Sequence, residues 1–152
     1  MPATVTGESP LDRQLWLYRE LYGLPCRLTG TRITLSTSDI TAICIPAALA
    51  AHVDDELFWL AKVTPILDEC LGTGALTLLA AHTHLDLTFP ATDFRRRARC
   101  EFLPSERELT LPTPLIPHCR GPRWFRYPQW ETLQPVTTVL RAIRIALHAY
   151  PD

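Results

Sequence analysis

The sequence predicts a single α+β domain over residues 9–152, with residues 1–8 as a disordered N-terminus. A mixed or antiparallel sheet is expected, with an N-terminal and a C-terminal helix packed on it. Three observations carry that expectation. Apolar residues recur at helical spacing near both ends of the chain, short Thr- and Ile-rich runs broken by turn residues lie between, and no internal repeat or linker divides the 152 residues.

Ser9, Pro10 and Asp12 combine an N-cap, a proline at the first helical position and an acidic partner three residues after the cap, so a helix begins there. Leu11, Leu15, Tyr18 and Tyr22 form its stripe, widened by Leu17 and Leu21, and Gly23 with Pro25 stops it. The pattern then shifts to "CRLTG", "RITLS" and "ITAICIP", three strands separated by turns. Pro46 opens a second helix whose face is Leu49, Val53, Leu57 and Leu60, with Asp54 and Asp55 off the stripe. "VTPILDEC" and "GALTLLAAH" read as strands joined by Gly72, Thr73 and Gly74, and "HLDLTF" continues or follows the second. "DFRRRARC" fits a short helix or a loop. "RELTLPTPLIP" runs from a strand into a loop, because Pro112, Pro114 and Pro117 exclude regular structure. Val136, Val139, Leu140, Ile143, Leu147 and Tyr150 define the final helix, from about Pro135 to Tyr150.

Composition narrows the function classes. Fifteen basic and sixteen acidic residues leave a formal charge of −1, so no global field draws the chain to nucleic acid or to an anionic membrane, and any such contact is local. Fourteen of the basic residues are Arg and only Lys62 is Lys, a bias that follows GC-rich coding and does not by itself mark phosphate binding. No stretch of about 18 apolar residues and no signal-type N-terminus occurs, which predicts a cytoplasmic protein with no membrane contact. The cysteines at 26, 44, 70, 100 and 119 are odd in number and form no C-x-x-C, so reduced and mostly buried thiols are expected.

"CRLTG", "ITAICIPAAL", "GTGALTLL", "RELTLPTPLI" and "GPRWFRYP" follow one another in an order that resembles the N-terminal prim-pol domain of bifunctional DNA primase/polymerases, in the archaeo-eukaryotic primase superfamily. The resemblance spans residues 24–148 and implies a compact α+β domain with a sheet of the RNA-recognition type. It further implies two carboxylates at the end of the strand after the "TG" turn, which in active members hold the metals of nucleotidyl transfer. Cys44 and Pro46 stand there instead. Where the family carries a His after a Gly-rich turn, this chain has Leu76 and Thr77, and Glu101 is a loose counterpart of the third acidic position. The resemblance therefore implies a degenerate member without polymerase chemistry.

Three further features bear on function. His82, His84 and Asp86 form an H-x-H-x-D pattern that, in a strand, turns all three to one face as ligands for zinc, manganese or iron; the polar face of an amphipathic strand is the competing reading. Arg95, Arg96, Arg97 and Arg99 are the densest basic run, with Arg141 and Arg144 as a second patch, and both are readable as phosphate contacts or as solvated surface. In "RGPRWFRYPQW", residues 120–130, Trp124, Phe125, Tyr127 and Trp130 could stack bases while Arg120, Arg123 and Arg126 hold phosphates. In a regular strand Trp124 and Arg126 face one way and Arg123, Phe125 and Tyr127 the other, so some of these aromatics belong to the core and one or two to a groove.

The resulting expectation is a non-catalytic, prim-pol-like binding or regulatory module. It acts through a protein partner or nucleic acid, with Arg95, Arg96, Arg97, Arg123, Trp124, Arg126 and Trp130 as contact residues and no cofactor. A metal-dependent hydrolase built on His82, His84 and Asp86, and a structural subunit of a larger complex, are the alternatives.

Overall fold

The computed structural model describes residues 9–70, 72–82, 96–104, 106–115, 121–129 and 133–149. Helix α1, Pro10–Trp16, opens with the expected capping box: the Asp12 N–H donates to Ser9 Oγ at 3.0 Å, and the Ser9 N–H to the Asp12 carboxylate at 3.4 Å. The regular helix then departs from expectation. Residues Leu17–Leu21 widen into a π-helical turn, with the Tyr22 N–H reaching back to the Leu17 carbonyl at 3.1 Å, before Gly23 at φ 67° ends the segment. The extra residue in that turn leaves Tyr18 fully buried and Tyr22 at the surface of the same cluster.

Strands β1, Cys26–Thr29, and β2, Arg32–Ser36, form a two-residue hairpin at Gly30 and Thr31, where Gly30 takes φ 64°. Strand β3, Ile40–Pro46, leads into α2, Ala47–Trp59, then β4, Ile66–Asp68, and β5, Ala75–Ala81. The short β6, Glu101–Phe102, β7, Glu108–Leu111, and β8, Arg123–Arg126, precede α3, Val136–Ala149. Residues 96–98 of the arginine run form a helical turn.

The domain is α+β, and its strands divide into two sheets. One has the order β1-β2-β7, the other β6-β3-β5-β4-β8, and every paired strand is antiparallel. Strand alternation sends Ile43, Ile45, Ile66, Leu76 and Leu78 to one face of the larger sheet, where α2 and α3 cover them. Ile40, Ala42, Leu67 and Leu79 point the other way, against Ile33, Leu35, Leu109 and Leu111 of the smaller sheet and Tyr18 of the N-terminal segment. The result is three layers: two helices, a five-stranded sheet, and a three-stranded sheet flanked by α1.

Two expectations along α2 are corrected. Asp54, placed off the apolar stripe by its sequence, is 8% exposed, because a guanidinium from β8 meets it. Leu60, placed on the stripe, is 49% exposed, because α2 ends at Trp59 and the chain reverses through Ala61 at φ 57°. The N–H groups of Ala61 and Lys62 return to the Phe58 and Leu57 carbonyls at 2.9 and 2.8 Å, closing a Schellman turn around a residue other than glycine.

Candidate functional site

Strand β8 is an edge of the five-stranded sheet and carries the most distinctive residues of the chain. Its register against β4 pairs Arg126 with Ile66 and Trp124 with Leu67, so Phe125 is an extra residue in a β-bulge. That bulge corrects the expectation that Trp124 and Arg126 share a face. Arg126 follows Ile66 to the helix side, and Trp124 follows Leu67 to the side of the smaller sheet.

On the helix side, Arg126 Nε lies 3.0 and 3.1 Å from the two carboxylate oxygens of Asp54, and Nη2 completes a forked pair. The hydrogen bond to Asp54 raises the Arg126 pKa above its ordinary value, so the charge is held and neutralised in place. Arg123 makes a single, more exposed contact, its Nε donating to Asp68 at 3.1 Å. Two of the arginines read as phosphate contacts thus carry their own carboxylates.

On the other side, four rings meet edge to face. Centroid separations are 6.0 Å for Tyr18 and Trp124, 6.0 Å for Trp124 and Tyr127, and 5.5 Å for Tyr127 and Tyr22. Polar contacts lock them: Trp124 Nε1 donates to Tyr18 Oη at 3.0 Å, Tyr18 Oη donates to the Pro112 carbonyl, and Gln14 donates to Tyr127 Oη at 3.4 Å. Burial pushes the Tyr18 phenol well above its ordinary range, so this hydroxyl stays protonated and keeps donating. Together with Thr113 and Pro114, which follow β7, and with Arg123, these groups wall an open groove of about 610 Å³. Thr113 is 8% exposed, and its Oγ1 has no hydrogen-bond partner among the described residues. Trp124 therefore both packs on the core and lines a groove, whereas Phe125 and Tyr127 are 46% and 43% exposed.

The positions singled out by the prim-pol-like segment order come together elsewhere. Cys44 sits directly opposite Thr77 on one neighbouring strand and opposite Glu101 on the other. Glu69 joins them, accepting from Thr77 Oγ1 at 3.3 Å and from Arg107 Nη2 at 3.0 Å. Arg107 is itself held by Thr37, which accepts from its N–H at 2.9 Å while donating to the Pro104 carbonyl at 2.6 Å. Burial raises the Cys44 pKa, and the Thr77 hydrogen bond opposes it only in part, so the thiol is neutral. Among the described residues no group of three His, Cys, Asp or Glu is placed to hold a metal ion. Glu69 and Arg107 were not singled out in the sequence, and no local signal marks a pair 38 positions apart.

Strand β5 ends at Ala81, so His82 stands just past it, exposed, while His84 and Asp86 lie outside the described residues. The same holds for Arg95, Trp130, Arg120, Cys119 and residues 1–8. Arg96 and Arg97 lie on the turn at 96–98. Here the fold joins what the sequence kept apart: Arg97 shares a groove of about 320 Å³ with Arg144, Leu147 and His148 of α3. A further surface feature went unremarked in the sequence, where Phe58 and Trp59 end α2 at 71% and 81% exposure. Among the described residues no helix is long and apolar enough to cross a membrane. No family model, curated protein or solved structure matches this chain.

Proposed function

We propose that this chain is a non-catalytic binding module of prim-pol-like descent that holds an extended, proline-containing segment of a protein partner in the groove beside β8. The observation that carries the reading is the groove itself, open to solvent, in which the exposed Tyr127 and the half-buried Trp124 are fixed by one another and by the buried Tyr18 beneath them. Rigid rings of this kind provide contact area at little entropic cost, and aromatic-lined grooves suit the preformed extended helix of proline-rich chains. Charge favours protein over nucleic acid. Among the described residues the one cation lining the groove, Arg123, is already matched by Asp68, and the next along the strand, Arg126, is matched by Asp54. A polyanion would gain little counterion release there. The non-catalytic part of the reading is supported by the centre at Cys44, where a neutral thiol stands and the nearby Glu69 carboxylate is engaged by Arg107 and Thr77.

The test is a displayed library of random extended peptides selected on the full chain, in parallel with titration by single-stranded DNA. Enrichment of proline-bearing peptides that bind the wild type and lose at least about tenfold in affinity on Tyr127→Ala supports the reading. Salt-dependent DNA binding that needs Trp124, with no peptide enrichment, overturns it in favour of a nucleic-acid surface.

A further inference from the structure

The inner hydrogen-bond donors of the aromatic groove are spent within the protein. Trp124 Nε1 has a single proton, given to Tyr18 Oη at 3.0 Å, and the Tyr18 hydroxyl gives its own to the Pro112 carbonyl. Thr113 Oγ1 has no partner among the described residues, but it is shielded from solvent and so from a ligand lying in the groove.

Tyr127 at the rim differs. Its hydroxyl oxygen accepts from Gln14 Nε2 at 3.4 Å, which leaves its own proton in place. Burial first, then the neighbouring Tyr127 hydroxyl by charge and by hydrogen bond, raise the Tyr22 pKa, so Tyr22 is the donor in that pair. With both lone pairs of Tyr127 Oη engaged, the O–H is what it has left to offer, and no described residue accepts it. Its ring is 43% exposed yet held edge to face by Tyr22 and Trp124, so this donor is positioned before a ligand arrives. Arg123 also lines the groove with N–H groups to spare, but its side chain is 62% exposed and ordering it costs more entropy. An extended, proline-containing segment has the matching need: its carbonyls have no internal partner, and its prolines have no N–H to give.

We infer that the Tyr127 hydroxyl donates to one main-chain carbonyl of the bound segment and so sets its register, the phenol and not the Trp124 indole reading the backbone. This rests on the peptide-binding role proposed for the groove. The experiment takes the tightest proline-bearing peptide selected on the full chain, with a series in which each amide in turn is replaced by an (E)-alkene that keeps the planar shape and removes the carbonyl oxygen. Affinities are measured by calorimetry on the wild type and on Tyr127→Phe, which keeps the ring. Tyr127→Phe should weaken the parent peptide about fivefold, and one alkene position should weaken binding to the wild type by a similar factor while changing nothing further in Tyr127→Phe. Undiminished affinity in Tyr127→Phe, or a series with no position coupled to that hydroxyl, overturns the inference and leaves the peptide-binding role standing. If no proline-bearing peptide binds at all, that role fails and this inference with it.

Discussion

The two faces of the five-stranded sheet are built to different ends. The helix face is closed mainly by aliphatic side chains, from Ile43, Ile45, Ile66, Leu76 and Leu78 to Val139, Leu140 and Ile143. The opposite face buries a comparable set, yet places Tyr18 and Trp124 in it, and both also line a groove open to solvent. Packing of the first set bears on stability, because those side chains line neither groove. On the second face, the side chains that fill the core also shape the groove, so stability and the proposed binding are coupled there.

Leu78 and Leu79 are neighbours in β5, both 0% exposed, and alternation sends one to each face. Leu78→Ala and Leu79→Ala are each expected to cost about 3 kcal/mol in urea unfolding. Only Leu79→Ala should move the Trp124 indole N–H resonance, since only its cluster supports that ring. An equal response in both variants would break the contrast between the faces.

The forked pair across α2 and β8 is next in size. Arg126→Ala strands Asp54, whose side chain is 10% exposed, and is expected to cost about 2 kcal/mol. Asp54→Ala leaves a guanidinium that is 41% exposed and can hydrate, so it should cost about 1 kcal/mol or less. Equal costs would show that the charge left behind does not decide the penalty.

Titration sharpens the comparison, because the face with the groove carries buried acidic groups. Burial pushes the Cys26 thiol from 9.0 up to about 11. The unfolded thiol ionises first, so unfolding releases a proton between those values. Stability is full below pH 9 and falls by about 2 kcal/mol as pH rises through 11, with Tyr18 adding to the loss at higher pH. Denaturant midpoints should fall from pH 9 in the wild type, whereas in Cys26→Ala they should hold to about pH 10, where the unfolded Tyr18 phenol begins to ionise, and fall only above it. The smallest change in stability is expected for Tyr127→Ala, about 1 kcal/mol from lost ring contacts, set against the large loss in peptide affinity that the proposed function expects.

Much of the fold was legible because its signals are local. The capping box at Ser9, the turn at Gly30 and the apolar spacing of the final helix each depend on a few adjacent residues. The departures are nonlocal. The π-turn at Leu17–Leu21 and the bulge at Phe125 each add one residue to a regular pattern, and nothing in composition marks where such an insertion falls. The bulge alone reverses the relation of Trp124 to Arg126. Aromatic residues at 124 and 127 stood out as candidates, but Gln14, Tyr18 and Thr113 join them only through contacts about a hundred positions apart or across separate elements.

By itself the sequence determined the α+β class, the order of most elements and the absence of a strong global charge, since periodicity, turn chemistry and charge counts are properties of short windows or simple sums. Only the tertiary structure decided that the strands form two sheets, that Arg123 and Arg126 are neutralised by Asp68 and Asp54, and that Arg97 meets Arg144 and His148. The reason is physical: a buried pair or a shared groove depends on which faces pack together, and packing is settled by the whole core at once.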